Sequence, residues 1–504
     1  MLTSKVWRGL FGEERSRSLA ACTRNVVKRD LSSKGALLIL ATGSFALAAD
    51  STVLTAPPNP EMTSLLMGGL ALLIPIGLTL MAVGASPEKR AVDVALMALI
   101  ALCLGIIGYA LVGFGFQFGG IGLVSDLEGV EGLIREWSPL DVAWGPGWGA
   151  LGLDAFFILG KDYNAGILAL FLSQAVLAAT AVLIPALTLA GRVRFPALIL
   201  AILLVSMVTY PIFGNWAWGG GWLANLGINR ELGHGFVDFA GTMVHAIGAM
   251  TALAGLLAFG VKTDEERRKG PATLPPTHFP LLMILGALLA IVGWLGLAMG
   301  NPFTAQGVSF PLILVNVLMA AAGGTILAAL YTWFATGKPD PLLTARGTVA
   351  GLVAVSASCA FVPTWAAAAI GAVAGLIVPL GTYLVERLLW LDDATGAIAT
   401  HGLAGIWGLL ALGLFADGRH GVGCNGVGTI EYLGIEGQGV SGALIAPGFQ
   451  PDFPGQFYAQ ITGIAALIVF VFGLSWLFFK GLSKVLALRV TVEPAPSEHD
   501  KGEA

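Results

Sequence analysis

Asp238-Phe-Ala-Gly-Thr-Met-Val-His245, continued by Ala-Ile-Gly-Ala-Met250 and a longer apolar run, sets two ionisable side chains in a segment with the composition of a membrane span. On one continuous helix, residues seven apart share a face about two turns, or roughly 10 Å, apart. Ionisable groups at membrane depth are costly and usually mark a pathway. A second stretch, Asp392-Asp-Ala-Thr-Gly-Ala-Ile-Ala-Thr-His401, repeats the setting of small residues, a preceding carboxylate and a histidine in an apolar run. The rest of the chain reads as scaffold for these two histidines.

Of the 504 residues, 56% are hydrophobic and 12% charged, with a mean hydropathy of +0.82. That composition belongs to an all-α polytopic membrane protein in a lipid bilayer rather than to a soluble chain of about three domains. The 69 glycines lie within apolar runs, where small residues let helices pack closely in lipid. A net charge of -4, with Lys and Arg placed between apolar runs, offers no footprint for nucleic acid. Cys22, Cys103, Cys359 and Cys424 form no CxxC pair and no metal-ligand spacing. Cys103 and Cys359 are expected to be small core residues. Cys424 is expected in an outside segment, where only Cys22 could join it. No metal or cofactor is expected.

Residues 1–34 are basic, and the apolar run Gly35–Ala48 is short for a span. Ala46-Leu-Ala48 fits small-residue cleavage, so 1–48 reads as a signal peptide with a long basic region, followed by a short extracellular N-terminus at 49–61. The other reading is a basic tail leading into an uncleaved anchor. Eleven spans are expected in a membrane domain at 62–484, at about 63–85, 91–118, 164–190, 195–214, 237–261, 278–299, 308–336, 345–362, 365–388, 395–416 and 457–483. Basic residues concentrate in alternate connections: Lys89 and Arg90; Arg192 and Arg194; Lys262, Arg267, Arg268 and Lys269; Lys338, Arg346 and Arg387; Lys480 and Lys484. Those connections are expected to be cytoplasmic, with the N-terminus outside and the C-terminus inside. The tail at 485–504 is then cytoplasmic. Two long outside loops, 119–162 and 417–456, suit an ordered vestibule lid or an oligomer contact, and the residues do not choose between them.

His245 and His401 fall in the fifth and tenth spans, equivalent positions if spans one to five and six to ten are inverted halves meeting at the midplane. Two histidines without a third ligand make poor metal-site evidence, and no nucleophile accompanies them for an enzyme. Paired imidazoles can instead hand a proton between them, because a neutral ring carries one donor and one acceptor nitrogen. Asp238 and Asp393 are expected to cap the amides that open their spans and to favour positive charge nearby. In Asn215-Trp-Ala-Trp-Gly-Gly-Gly-Trp222, three tryptophans surround a triple glycine. A single tryptophan there would read as an interfacial belt residue; this cluster can offer an indole face to a cation.

Trp216-Ala-Trp-Gly-Gly-Gly-Trp222, Asp238-Phe-Ala-Gly-Thr-Met-Val-His245 and Thr400-His-Gly-Leu-Ala-Gly-Ile-Trp-Gly408 together resemble motifs of the Amt/Mep/Rh ammonium transporter family. The similarity runs with gaps from about 62 to 490, through Gly293-Trp-Leu-Gly296 and Gly347-Thr-Val-Ala-Gly-Leu-Val-Ala354. The resemblance implies an eleven-span homotrimer with one pore per subunit, two inverted five-helix halves plus a final helix, and a place in a bacterial inner membrane. It implies transport of ammonium or ammonia without enzymatic activity, and a cytoplasmic regulatory protein as a partner. Carried over, Trp218 matches the recruitment tryptophan, Asp238 the acid beneath it, His245 and His401 the pore pair, and Asp393 the inner-mouth carboxylate. The family's two gating phenylalanines fall at Leu177 and Leu297, and its recruitment serine at Asn301. An aliphatic gate excludes water but offers a cation no quadrupole, so recruitment would lean on Trp218, Asn301 and Phe114 or Phe118. The other function kept in view is an ammonium sensor with weak or no transport.

Overall fold

Apolar runs between charged connections become helices because, in hydrocarbon, every backbone N–H and C=O must find its partner within the segment. The computed structural model describes Pro60 to Val485 except 126, 128, 159–163, 191, 230–234, 260–276, 301–307, 423, 425–434 and 436. The signal peptide, most of the segment after it, Cys22, Asn301 and the tail beyond Val485 lie outside the described residues.

Eleven apolar helices follow in order: α1 Leu65–Ala85, α2 Glu88–Leu123, α3 Ala165–Leu189, α4 Phe195–Ala217, α5 Thr242–Ala258, α6 Pro280–Gly300, α7 Phe310–Thr336, α8 Pro341–Ser356, α9 Thr364–Leu388, α10 Ile398–Phe415 and α11 Gly455–Leu482. Among the described residues nine are long and apolar enough to cross a membrane, and α5 and α8 are shorter. The eleven apolar helices stand in the expected order, and the two shorter ones open or close on irregular backbone. Asp238 to Gly241 is not helical, so α5 opens at Thr242. Helix α8 stops at Ser356 and a turn follows. The two irregular pieces satisfy each other: the N–H groups of Phe239 and Ala240 donate to the carbonyls of Ala357 and Ser356 at 3.1 and 2.9 Å. Thr242 Oγ1 donates to Val353 O at 2.9 Å and accepts from Ala357 N at 2.7 Å. Irregular backbone is tolerated at membrane depth where protein buries it.

Small residues set the crossings. Helix α1 packs along α6, and α7 packs along α8 and α9. A Cβ on Gly77 would strike the carbonyl of Gly286, and one on Gly286 would strike the carbonyl of Gly77. The packing pattern repeats: α1 against α3 and α3 against α5 correspond to α6 against α8 and α8 against α10. Helices α1 and α6 meet, as do α5 and α10, while α11 packs on α5 and α10 outside the repeat.

Two expectations are corrected. Cys103 is exposed on α2 while Cys359 is buried as expected. Arg346, counted with the connection charges, is 2% exposed and lies within α8.

The described part of 119–162 is folded. A hairpin pairs β1 Glu136–Trp137 with β2 Leu151–Gly152, and Arg135 N donates to Gly119 O at the end of α2. This segment covers the tryptophan turn, since Trp216 Nε1 donates to Ala150 O at 3.0 Å and Trp222 N to Gly149 O at 2.9 Å.

Candidate functional site

Asp238 and His245 do not share a helical face as the opening stretch suggests. Asp238 stands ahead of α5 as its cap. Its carboxylate accepts from the amides of Gly241 at 3.1 Å, Thr242 at 2.8 Å and Met243 at 2.7 Å, which are among the donors a helix start leaves unpaired. Asp393 does the same for α10, accepting from Ala397 at 2.9 Å and Ile398 at 2.8 Å. In both places the carboxylate takes the amides four and five residues on. The histidine follows seven residues after the first Asp and eight after the second, and a π-helical turn at Ile398–Leu403 absorbs the extra residue.

The result is a pair of nearly parallel rings that meet edge to edge through their Nδ1 atoms. His245 Nδ1 lies 3.1 Å from His401 Nδ1, with ring centroids 5.1 Å apart and planes 12° from parallel. On its other side His245 stacks on Trp294, centroids 4.9 Å apart and planes 15° from parallel. Trp294 Nε1 is held by Ser356 Oγ at 2.8 Å, and that hydroxyl donates to Leu352 O. Trp294 has no role assigned by the motif Gly293-Trp-Leu-Gly296 alone. The signal available was its place between small residues in Gly293-Trp-Leu-Gly296, which leaves room for a flat ring.

At one end of this row, Trp218 Nε1 donates to Asp238 O at 2.7 Å, and its ring lies against Gly241. At the other end Asp393 stands beside Arg346, whose Nη2 donates to Ala394 O. Ser356 and Arg346 are ten residues apart on α8, so these ends are separated by about 15 Å along that helix. Leu177 and Leu297 are buried on α3 and α6, at 2% and 5% exposure. Phe114 and Phe118 are fully buried. Phe114 packs on Tyr109, Phe118 and Phe171.

A cavity of about 40 Å³ is lined by Leu342, Arg346, Val349, Thr395, Thr400 and His401, with α1 and α3 side chains closing it. A water-sized molecule takes roughly 10–15 Å³ by this measure, so the cavity suits a short file of such molecules. Among the described residues no group of three or more His, Cys, Asp or Glu could hold a metal ion.

Residues 62–503 match the model of the Ammonium Transporter Family. The chain belongs to the ammonium transporter family. It is 32% identical over 447 residues to the ammonium transporter Amt2 of Archaeoglobus fulgidus, covering 87% of this chain and 86% of that one. It is 31% identical over 305 residues to an ammonium transporter of Bacillus subtilis, covering 60% of this chain and 66% of that one. Among solved structures, a sensor Amt protein matches with a TM-score of 0.69 and 28% identity, covering 86% of this chain and 95% of that chain. Mep2 of Candida albicans matches with a TM-score of 0.68 over 86% of each chain; at 22% identity it speaks for the fold alone. This ammonium transporter family member is a multi-pass helical membrane protein.

Proposed function

We propose that this family member carries ammonium across a bacterial inner membrane, and that the carried species is neutral ammonia passing the His245–His401 pair. The observation that carries the reading is the 3.1 Å contact between the two Nδ1 atoms. Two imidazoles meeting this way hold one hydrogen between them: one Nδ1 donates and the other accepts, and the tautomers exchange when a proton arrives at Nε2 of the donor ring, the shared proton crosses, and Nε2 of the acceptor ring releases its own. His245 Nε2 is buried without a hydrogen-bond partner among the described residues, which leaves it for a passing small donor. An unpaired cation in hydrocarbon costs tens of kcal/mol by solvation alone, whereas a neutral amine costs a few. Deprotonation before passage is therefore the low path.

In this reading the tryptophan turn faces outside. Trp218, with Asp238 beneath it and Asn301, recruits the cation; Leu177 and Leu297 form an aliphatic gate. Ammonium loses its proton there, ammonia crosses, and His245 and His401 relay the proton. Asp393 stands at the inner mouth. No bond of the substrate other than N–H is made or broken, so the protein is a transporter and not an enzyme. It works as a homotrimer with one path per subunit, and a cytoplasmic regulatory protein is a fitting partner for its inner face.

The second reading, an ammonium sensor that binds with little flux, is favoured by the likeness to a sensor Amt protein and by the replaced gate. Recording ammonium-driven current on the unmodified full chain in proteoliposomes, with methylammonium and potassium as comparisons, separates the two. Ammonium-dependent current well above that of potassium is expected. Ammonium binding with no ammonium-dependent signal would shift the assignment to the sensor.

A further inference from the structure

Arg346 introduces a fixed positive charge on the path just described. It is buried within α8 at 2% exposure, and its Nη2 is spent on the carbonyl of Ala394. Its Nη1 is buried with no acceptor among the described residues. The guanidinium and His401 line the same small cavity, so the charge acts on whatever stands beside the histidine pair. The backbone is shaped around it. Gly396 has φ +69, and a Cβ there would come within 2.7 Å of Arg346 Cζ and Nε.

The acidic groups that act on Arg346 are Asp393, Glu386 and Asp340. Two of these carboxylates are already engaged: Asp393 by the amides of Ala397 and Ile398, and Asp340 as the cap of α8, accepting from Leu343 N at 2.8 Å. Arg192 is paired with Asp392 at 3.1 Å. Amide hydrogen bonds leave Asp393 and Asp340 their charge, so the carboxylates offset part of the guanidinium's field; none of them lines the cavity, however, and among the described residues lining it Arg346 is the one that is always charged, with Nη1 unspent. Two like charges about 6 Å apart at an effective dielectric near 20 disfavour co-occupancy on the order of 100-fold before the offset from those carboxylates.

We propose that Arg346 is a cation filter at the inner mouth, repelling positive ions from the cavity beside His401 and leaving neutral ammonia free to pass between the histidine pair and the cytoplasm. The substrate and the orientation rest on the transport reading above; the charge filter itself does not. A sodium- or potassium-sized ion would meet the same repulsion as ammonium, so Arg346 is a specificity-determining residue that tells charge and not size.

The test records current in oriented proteoliposomes with ammonium, then potassium, applied from the face that carries Arg346. It compares the full chain with Arg346→Gln and Arg346→Lys, and with Thr395→Asp, which sets a carboxylate in the cavity lining and leaves the guanidinium in place. Arg346→Gln and Thr395→Asp are expected to raise cation current from that face about tenfold or more. Arg346→Lys, which keeps the charge, is expected to stay near the parent. A merely structural arginine would lose stability in the Gln variant without gaining cation current, and Thr395→Asp would then do nothing. If both Arg346→Gln and Thr395→Asp match the parent, the filter is wrong. Alkalinisation on an ammonia gradient, measured in the parent, reports on the transport reading separately. A parent that moves no ammonia defeats that reading, while the gain of cation current on neutralising the charge still decides the filter.

Discussion

At Trp294 one indole serves two neighbours. Its face supports His245 and its N–H is anchored on Ser356, so the ring fixes the imidazole that faces His401. Trp294→Ala is expected to cost about 3–5 kcal/mol through the cavity it leaves and to reduce ammonium flux by freeing His245. Trp294→Phe keeps the stack and should retain most of the flux. Unfolding in detergent and flux in liposomes check the two halves of this statement. Glu136, in the hairpin over the tryptophan turn, is a second residue whose chemistry follows from its surroundings. Burial pushes its carboxyl up to about 7, against a hydrogen bond from Ser138 that lowers it, and Asp141 adds to the rise. A hydrogen bond from Asn215 also lowers it, so burial is what outweighs both donors. A carboxyl raised on folding binds more protons in the native state. Stability should therefore fall as pH rises from the unfolded value, about 4.5, through about 7, and level off above. Glu136→Gln is expected to flatten that dependence, read from thermal midpoints between about pH 5 and pH 8; an unchanged slope would assign it to another group.

The helix ends show what a residue pattern carries and what it hides. Asp238 and Asp393 were legible as capping carboxylates because the residue type, the small neighbours and the following apolar run suffice. The geometry was not. The start of α5 depends on hydrogen bonds between Phe239–Ala240 and the end of α8, more than a hundred residues away in sequence, and no local pattern contains them. The π turn at Ile398–Leu403 left one trace, the count of eight against seven, which cannot reveal whether a loop or a helix absorbs the extra residue. Arg346 stands just inside the expected span 345–362 yet counts by its charge with the connection before it; only the packing of α8 shows it buried. Capping is expected to be measurable: Asp393→Ala should destabilise by about 1–2 kcal/mol, and Asp393→Asn by less because one acceptor oxygen remains. The close crossing of α1 on α6 is stricter. Gly286→Leu places a side chain on the carbonyl of Gly77 and is expected to abolish the monodisperse peak in size-exclusion chromatography in detergent.

Across the whole molecule, the helix count and order were close to the sequence expectation because each apolar run carries its own signal, and family membership was legible from three motifs together. The paired packing of α1–α5 and α6–α10 gives the two histidines equivalent places, which accounts for their meeting from separate helices. Large apolar side chains stay exposed on several helices, among them Leu96 and Leu99 of α2 and Phe334 of α7, and these surfaces need lipid or a second copy. A mass of three chains in detergent is the expected result, and a monomeric mass would remove the trimer. The central claim is that ammonium nitrogen crosses at the histidine pair, and ammonium-driven current in proteoliposomes tests it most directly when the unmodified chain is compared with the combined His245→Ala and His401→Ala variant. The unmodified chain should give a current that grows with ammonium and not with potassium, and the double variant should lose its selectivity or its current. An unchanged ammonium current in the double variant would contradict the claim.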